Sequence, residues 1–202
     1  MSIKAFIFDF GNVICKFDKT IFLKKLSFCC DKSVGELEKL IYHDTDACIR
    51  FETGLISGDE FYREIVELCR LSISESDFID GHINIFTPIS ETFDLIKKLK
   101  PAYKLGLLSN TAVWDFERGI KQIEIFSLFD AVTASFEVGA MKPDKAIFDD
   151  MTKKIKLAPQ NCIYIDDIKQ FADAGRLLGF NAIHYQGHDN LLEQLREMGI
   201  RY

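Results

Sequence analysis

Polar side chains follow short apolar runs at three places in the chain, namely Asp9, Ser109 and the pair Asp166–Asp167. A fourth polar residue, Lys142, stands at the entry to a helical pattern. A carboxylate can attack phosphorus and form an aspartyl-phosphate that water later cleaves. Attack of an anion on an anion needs positive charge nearby, which Mg²⁺ on carboxylates and a lysine would supply. Together these residue types predict a site for phosphoryl transfer.

Each candidate residue has an expected role in that chemistry. Asp9 is the predicted nucleophile, and Asp9 and Asp167 are the predicted carboxylate ligands of Mg²⁺, helped by a backbone carbonyl at Gly11. Lys142 would neutralise the nucleophile and the phosphoryl oxygens, and Ser109 would donate a hydrogen bond to one of them.

The sequence predicts the roles of two neighbouring polar residues less specifically. Asn110 follows Ser109 and is a candidate substrate contact, although such a residue also stabilises turns. Asp166 precedes the predicted metal ligand Asp167 and is expected to position it rather than bind the ion.

The apolar runs predict the strands that would carry these residues. They occupy residues 5–8, 105–108, 131–133, 162–165 and 182–185. Helical patterns alternate with them at 91–100, 144–156 and 169–178. Strands that alternate with helices indicate an α/β fold with a doubly wound parallel sheet. Ligands of such sheets bind outside the carboxyl ends of the strands, where the polar residues fall.

The segment 15–87 has a different pattern and contains no comparable apolar strand. It has three Ser-x-x-Glu/Asp capping signatures, which begin at Ser33, Ser57 and Ser74, and each predicts a helix start. We therefore predict a helical cap over residues 15–87, inserted into a catalytic core formed by residues 1–14 and 88–202.

The composition limits the classes of molecule that the protein could bind. The chain has 202 residues and a formal charge of −6, without a basic block, which argues against a nucleic-acid surface. Its six Cys residues have no metal-site spacing, and no apolar stretch reaches the length of a membrane span. We expect a cytoplasmic protein with reduced thiols that acts on a small phosphorylated metabolite. The oligomeric state stays open.

The four motifs, in their order along the chain, resemble those of the haloacid dehalogenase superfamily: Asp9-Phe-Gly-Asn-Val, Leu-Leu-Ser109-Asn, Met-Lys142-Pro and Ile-Asp166-Asp167. The first motif is most similar to the branch that holds bacterial α-glucose-1-phosphatase and the N-terminal phosphatase domain of soluble epoxide hydrolases. The resemblance implies a Rossmann-like core, Asp9 as nucleophile, phosphoryl binding by Ser109 and Lys142, and magnesium at Asp167.

Two positions depart from the pattern of the family. Its phosphatases usually carry a general acid and base two residues after the nucleophile, where this chain has Gly11. A polar residue often stands four positions after the second acid of the last motif, where this chain has Phe171. A sugar 1-phosphate has a less basic leaving group and would need the acid less, so a sugar phosphate is one candidate substrate.

Three other functions compete with a phosphatase as interpretations of these motifs. A receiver-type signalling domain has its acidic pair after the first strand and its acceptor Asp after a middle one. In this chain the single acid Asp9 comes first and the Asp166–Asp167 pair comes last. A carbon–halogen hydrolase needs no metal, so the Asp166–Asp167 pair argues against this function. Turnover in the presence of EDTA would favour a carbon–halogen hydrolase. A catalytically weak or inactive binding protein stays open because of Gly11 and Phe171.

Overall fold

The computed structural model describes residues 2–201, which contain seven strands. They are β1 (Ala5–Phe8), β2 (Cys15–Phe17), β3 (Phe86–Pro88), β4 (Lys104–Ser109), β5 (Ala131–Ala134), β6 (Cys162–Asp166) and β7 (Asn181–His184). Five of them form a parallel sheet in the order β5-β4-β1-β6-β7, with β1 at its centre. The strands β2 and β3 pair separately as an antiparallel ribbon.

Eleven α-helices connect these strands within the same residues. They are α1 (Lys19–Ser27), α2 (Val34–Tyr42), α3 (Ala47–Glu52), α4 (Gly58–Cys69), α5 (Glu75–Ile83), α6 (Ser90–Leu99), α7 (Val113–Arg118), α8 (Ser135–Val138), α9 (Lys145–Ile155), α10 (Lys169–Leu177) and α11 (His188–Glu197). The first five lie between β2 and β3, and the other six lie between the later strands or after the last one, with both α8 and α9 between β5 and β6.

Side chains alternate between the two faces of the parallel sheet, and helices cover both faces. Phe6 and Phe8 of β1 pack into a cluster that includes Ile96 of α6 and Leu195 of α11. Ala5 and Ile7 belong to a second cluster, which α9 covers with Phe148 and Met151 among others. The predicted doubly wound α/β fold is therefore confirmed. All five predicted strands and the three predicted helices α6, α9 and α10 are present.

The chain between β2 and β3 forms a helical insertion with its own apolar core. Its buried side chains include Phe22, Phe51, Phe61 and Phe78. The three predicted helix starts are confirmed, because Ser33, Ser57 and Ser74 each accept a hydrogen bond from the backbone N–H three residues later. We use the name helical insertion for α1 to α5; its role as a cap stays a prediction.

One expectation for residues 15–87 is wrong. The segment was expected to lack strands, but the ribbon of β2 and β3 pairs Cys15 with Pro88 and Phe17 with Phe86 at its base. Each strand has only three residues, too few for an alternating pattern to stand out in the sequence. The ribbon joins the helical insertion to the sheet directly after the loop that follows β1. None of the helices within residues 2–201 has the length and apolarity needed to cross a membrane.

Candidate active site

The carboxyl ends of three neighbouring strands bring the predicted residues to one edge of the sheet. Asp9 directly follows β1, Ser109 ends β4 and Asp166 ends β6. Because β4, β1 and β6 are adjacent and parallel, these three side chains lie next to one another. All three are buried.

Lys142 connects two of the acids. Its ammonium nitrogen lies 2.7 Å from Oδ1 of Asp9 and 2.8 Å from Oδ2 of Asp166, and its side chain is almost fully buried. The ring of Phe171 lies under the same ammonium, 5.2 Å from Nζ to the ring centroid. The aromatic ring thus contacts the lysine where the family often has a polar residue, and it does so by a cation–π interaction.

Asn110 fixes the backbone of Lys142. Its amide nitrogen donates to the carbonyl of Lys142 at 3.2 Å, and its amide oxygen accepts from the N–H of Lys142 at 2.7 Å. Both ends of the side chain are therefore used to hold the loop that carries the lysine. Asn110 also lines the cavity described below, so its predicted contact with substrate stays a prediction.

The site fits a divalent cation. One carboxylate oxygen from each of Asp9, Asp166 and Asp167 lies within 4.8 Å of the others. Three carboxylates against the single ammonium of Lys142 leave a formal charge of −2, which one divalent cation would balance. Oxygen ligands in this arrangement suit Mg²⁺. Gly11, the predicted carbonyl ligand, lies beside the acids at the wall of the cavity.

The outer contacts of the two last acids differ. Asp167 accepts a hydrogen bond from the amide of Asn12 at 3.0 Å, a partner that sequence reasoning missed. Asp166 accepts from the hydroxyl of Tyr164 and, at 2.8 Å, from the N–H of Ile168, in addition to Lys142. These three donors hold the Asp166 carboxylate in place, and its expected role in positioning Asp167 stays a prediction.

The burial of several acids together shifts their protonation. Burial raises the pKa of Asp9 to about 7 against the lowering effect of Lys142, while Asp166 and Asp167 add to the rise. Burial opposes the charge on Lys142, but Asp9 and Asp166 outweigh it and raise the pKa of the lysine. Burial also raises the pKa of Asp167. A bound cation would favour the ionised carboxylates.

A neighbouring ring partly fills the space beside Gly11. A Cβ atom at position 11 would lie 3.2 Å from the ring of Phe17, which is tight, and 4.0 Å from Oδ2 of Asp9. Phe17 belongs to β2, the ribbon strand that the sequence did not reveal. Any side chain at position 11 would therefore begin in tight contact with the Phe17 ring.

Asp9, Ser109, Lys142 and Asp167 line a cavity of about 350 Å³, which lies between the edge of the sheet and the helical insertion. Its far wall carries aromatic side chains, including Tyr42 and Phe51. The same wall carries Glu52 of α3, His82 of α5 and Asp115 of α7. Sequence reasoning missed these residues, since it assigned no residue of the insertion to a substrate, expected every histidine to lie on the surface or in packing, and singled out no residue of α7.

Residues 6–185 match the family described as haloacid dehalogenase-like hydrolase. The match spans the sheet, the helical insertion and all four motifs, so the chain belongs to the haloacid dehalogenase-like hydrolases. The predicted superfamily is thereby confirmed.

Several characterised proteins are similar to this chain. A D-ribitol-5-phosphate phosphatase of Bacteroides thetaiotaomicron is 28% identical over 197 residues, which cover 88% of this chain and 89% of that protein. A sesquiterpene phosphatase of Aspergillus oryzae is 23% identical over 201 residues and 96% of each chain. The crystal structure of a haloacid dehalogenase family enzyme of Bacteroides thetaiotaomicron, in complex with magnesium and inorganic phosphate, superimposes with a TM-score of 0.80 at 22% identity. That superposition covers 90% of this chain and 93% of the enzyme.

Proposed function

We propose that this chain is a Mg²⁺-dependent phosphomonoesterase that acts on a small phosphorylated metabolite through an aspartyl-phosphate at Asp9. The observation that carries the proposal is the contact of Lys142 with both Asp9 and Asp166 inside a cluster of three carboxylates. The names of the two phosphatases among its relatives support it, and so does the complex of the similar enzyme with magnesium and phosphate.

The residues of the chain can perform the two displacements in turn. An oxygen of Asp9 attacks the phosphorus, the bond from phosphorus to the leaving oxygen breaks, and that oxygen takes up a proton from water as the alcohol departs. Water then attacks the phosphorus of the aspartyl-phosphate, which releases phosphate and regenerates the carboxylate. Lys142 stabilises the negative charge on the phosphoryl oxygens in both steps, and Ser109 donates a hydrogen bond to one of them.

Asp9 and Asp167, with the Gly11 carbonyl, are the residues that would hold Mg²⁺. When bound, the ion would supply positive charge against the phosphoryl oxygens. Asn12 holds Asp167 in place by its hydrogen bond, and Asp166 holds Lys142.

The absence of an acidic side chain at Gly11 favours a substrate whose leaving group needs little help from a general acid. Loss of a general acid typically costs about 10²–10⁴ in rate. The anomeric oxygen of a sugar 1-phosphate leaves more readily than an ordinary alkoxide, so a sugar phosphate of this type is a candidate substrate. A comparison of kcat/KM for a sugar 1-phosphate and the matching 6-phosphate tests this, and an equal or reversed ratio would contradict it.

The proposal is tested by phosphate release from an aryl phosphomonoester with Mg²⁺. Asp9→Asn should abolish release because the amide is a poor nucleophile, while Asp31→Asn, the same change at an exposed loop residue, should leave it intact. Chelation of the metal should stop the reaction. Equal release by the wild type and Asp9→Asn would favour an inactive binding protein, and turnover of a haloacid in the presence of EDTA would favour a dehalogenase.

A further inference from the structure

Tyr164 of β6 lies in the interior of the protein, and its hydroxyl group contacts the candidate active site. Residues two apart on a strand point to the same face, and the Tyr164 hydroxyl donates a hydrogen bond to Oδ2 of Asp166. The ring is fully buried and packs against Phe148 at 5.4 Å and against Phe180 at 6.1 Å between centroids. A Cβ added to Gly175 would come within 2.6 Å of the ring, so α10 approaches it closely as well. The core therefore fixes where the hydroxyl lies.

The hydroxyl group of Tyr164 keeps its proton and acts as a donor. Burial raises the pKa of Tyr164 well above its ordinary value, and the negative charge of Asp166 adds to the rise. The hydrogen bond to Asp166 is the only one that this hydroxyl makes within residues 2–201. A phenylalanine would fill nearly the same space without a buried polar group to satisfy, so ring packing alone does not account for the hydroxyl.

Tyr164 and Lys142 bind the same oxygen of Asp166. Nζ of Lys142 lies 2.8 Å from Oδ2, the oxygen that also accepts from Tyr164. The other oxygen, Oδ1, accepts from the N–H of Ile168 at 2.8 Å. A carboxylate oxygen has two lone pairs, so the tyrosine occupies one lone pair of Oδ2 and leaves the other to the lysine. The hydroxyl thus determines the direction from which Asp166 binds the ammonium.

The position of Lys142 depends on Asp166 because its other contacts constrain it less. The ammonium lies 2.7 Å from Oδ1 of Asp9, the proposed nucleophile, which changes during the reaction. It lies 3.4 Å from the carbonyl of Leu108, which is a long contact for a hydrogen bond. The ring of Phe171 attracts the ammonium but offers no lone pair to direct it. Asp166 is therefore the acceptor that can hold the lysine throughout the reaction.

We propose that Tyr164 is a positioning residue of the reaction: its hydroxyl orients the Asp166 carboxylate, and Asp166 in turn holds the Lys142 ammonium where the transferred phosphoryl group needs it. Tyr164 acts through Asp166 and not on the substrate, because its side chain is fully buried and lies outside the cavity wall of the described chain. The effect on the rate rests on the proposed function, whereas the effect on the geometry of the site does not.

Tyr164→Phe tests the proposal because it removes the hydroxyl and keeps the ring. With an aryl phosphomonoester and Mg²⁺, the variant should lower kcat by ~10–100-fold and leave KM nearly unchanged, since a misplaced lysine weakens the transition state rather than substrate binding. Tyr62→Phe is the matched control, because the Tyr62 hydroxyl donates to the carbonyl of Ile73 at 2.9 Å within the helical insertion. It loses a hydrogen bond of the same kind and should keep both kcat and KM. An unchanged kcat in Tyr164→Phe, a change confined to KM, or an equal loss in Tyr62→Phe would overturn the proposal.

Crystal structures of the wild type and of Tyr164→Phe give a second readout that needs no turnover. In the variant the Asp166 carboxylate should rotate, and the Lys142 ammonium should move relative to Asp9 by about 0.5 Å or more, the tolerance within which catalytic groups must be held. The same positions of both groups in the two structures would overturn the proposal. Absence of turnover by the wild type would instead contradict the proposed function, while the two structures still decide whether Tyr164 positions Lys142.

Discussion

At the scale of single residues, the chemistry depends on groups that are costly to bury. Lys142 is held between Asp9 and Asp166 with almost no exposure, so each of these charges relies on the others. Removal of one member of a buried charged group usually destabilises a protein, because it leaves its partners uncompensated.

The contact between position 11 and the Phe17 ring predicts how the chain would respond to an acid at the position where phosphatases of the family usually carry one. Gly11→Asp alone should bring no gain in kcat/KM on an alkyl phosphomonoester, because the Cβ would press on the ring of Phe17 at 3.2 Å. The double variant Gly11→Asp/Phe17→Ala should exceed the single variant Phe17→Ala by about tenfold or more, since a general acid contributes 10²–10⁴ when it is well placed. A gain in Gly11→Asp without the second change would show that the ring is no obstacle.

Glu52 gives a prediction about stability and pH. The groups that face it are Asp115 of α7, His82 of α5, Tyr42 of α2 and Cys48 of α3. Its pKa is about 7 in the folded chain against an ordinary value of 4.5, so the folded state holds the proton more tightly. The free energy of unfolding should therefore fall as the pH rises from 4.5 to about 7.

Glu52→Gln removes this effect because glutamine stays neutral. The variant should gain stability over the wild type across that pH range, by about 3 kcal/mol at its upper end. Urea denaturation at a series of pH values measures the difference, with Glu67→Gln, a change at an exposed glutamate of α4, as the control. A difference that stays constant with pH would contradict the account.

The site residues differ in how far sequence could predict them. Asp9, Ser109 and Asp166 each follow an apolar run, so the topology of a parallel sheet is enough to bring them together. Glu52 and His82 lie on two separate helices of the insertion, whose packing no local pattern specifies. A helical pattern shows which side chains form the core, but it does not tell which polar neighbours border a cavity.

At the scale of elements, prediction succeeded where the local pattern was strong. The buried strands and the helices with Ser N-caps carry their own sequence marks, and they were found. The helices α3, α7, α8 and α11 were not, and none of them begins with a side-chain capping hydrogen bond. Three of these four have six residues or fewer, so their apolar periodicity is too short to recognise.

The N-cap of α5 gives a prediction at this scale. The hydroxyl oxygen of Ser74 accepts from the N–H of Asp77 at 3.1 Å, at the start of the helix that carries His82. Ser74→Ala should lower the free energy of unfolding by about 1 kcal/mol, the usual cost of a lost N-cap. Ser72→Ala, an exposed serine whose side chain has no hydrogen bond to any residue from 2 to 201, should have little effect. Equal effects of the two changes in urea denaturation would contradict this role.

At the scale of the whole molecule, the helical insertion and the sheet meet at the single tryptophan of the chain. Trp114 of α7 packs against Phe51 of the insertion at 4.8 Å between ring centroids. A second contact lies at the start of α4, where a Cβ added to Gly58 would come within 2.5 Å of the Trp114 ring. The far wall of the cavity therefore depends on close packing between the two parts.

Gly58→Ala tests this dependence. The added methyl group should displace the Trp114 ring or the start of α4, which should change the tryptophan fluorescence and raise KM, at a cost of about 1–3 kcal/mol in stability. Gly35→Ala is the matched control in the same insertion, because no atom lies within 4 Å of its added Cβ. Unchanged fluorescence and KM in Gly58→Ala would show that the contact does not set the shape of the cavity.

The stereochemical course at phosphorus tests the covalent role of Asp9 most directly. A phosphomonoester made chiral at phosphorus by sulfur and oxygen isotopes is hydrolysed in isotopically labelled water, and the configuration of the released thiophosphate is determined. Two successive in-line displacements, first by Asp9 and then by water, predict retention of configuration. Inversion would show that water attacks the substrate directly, and it would contradict an aspartyl-phosphate at Asp9.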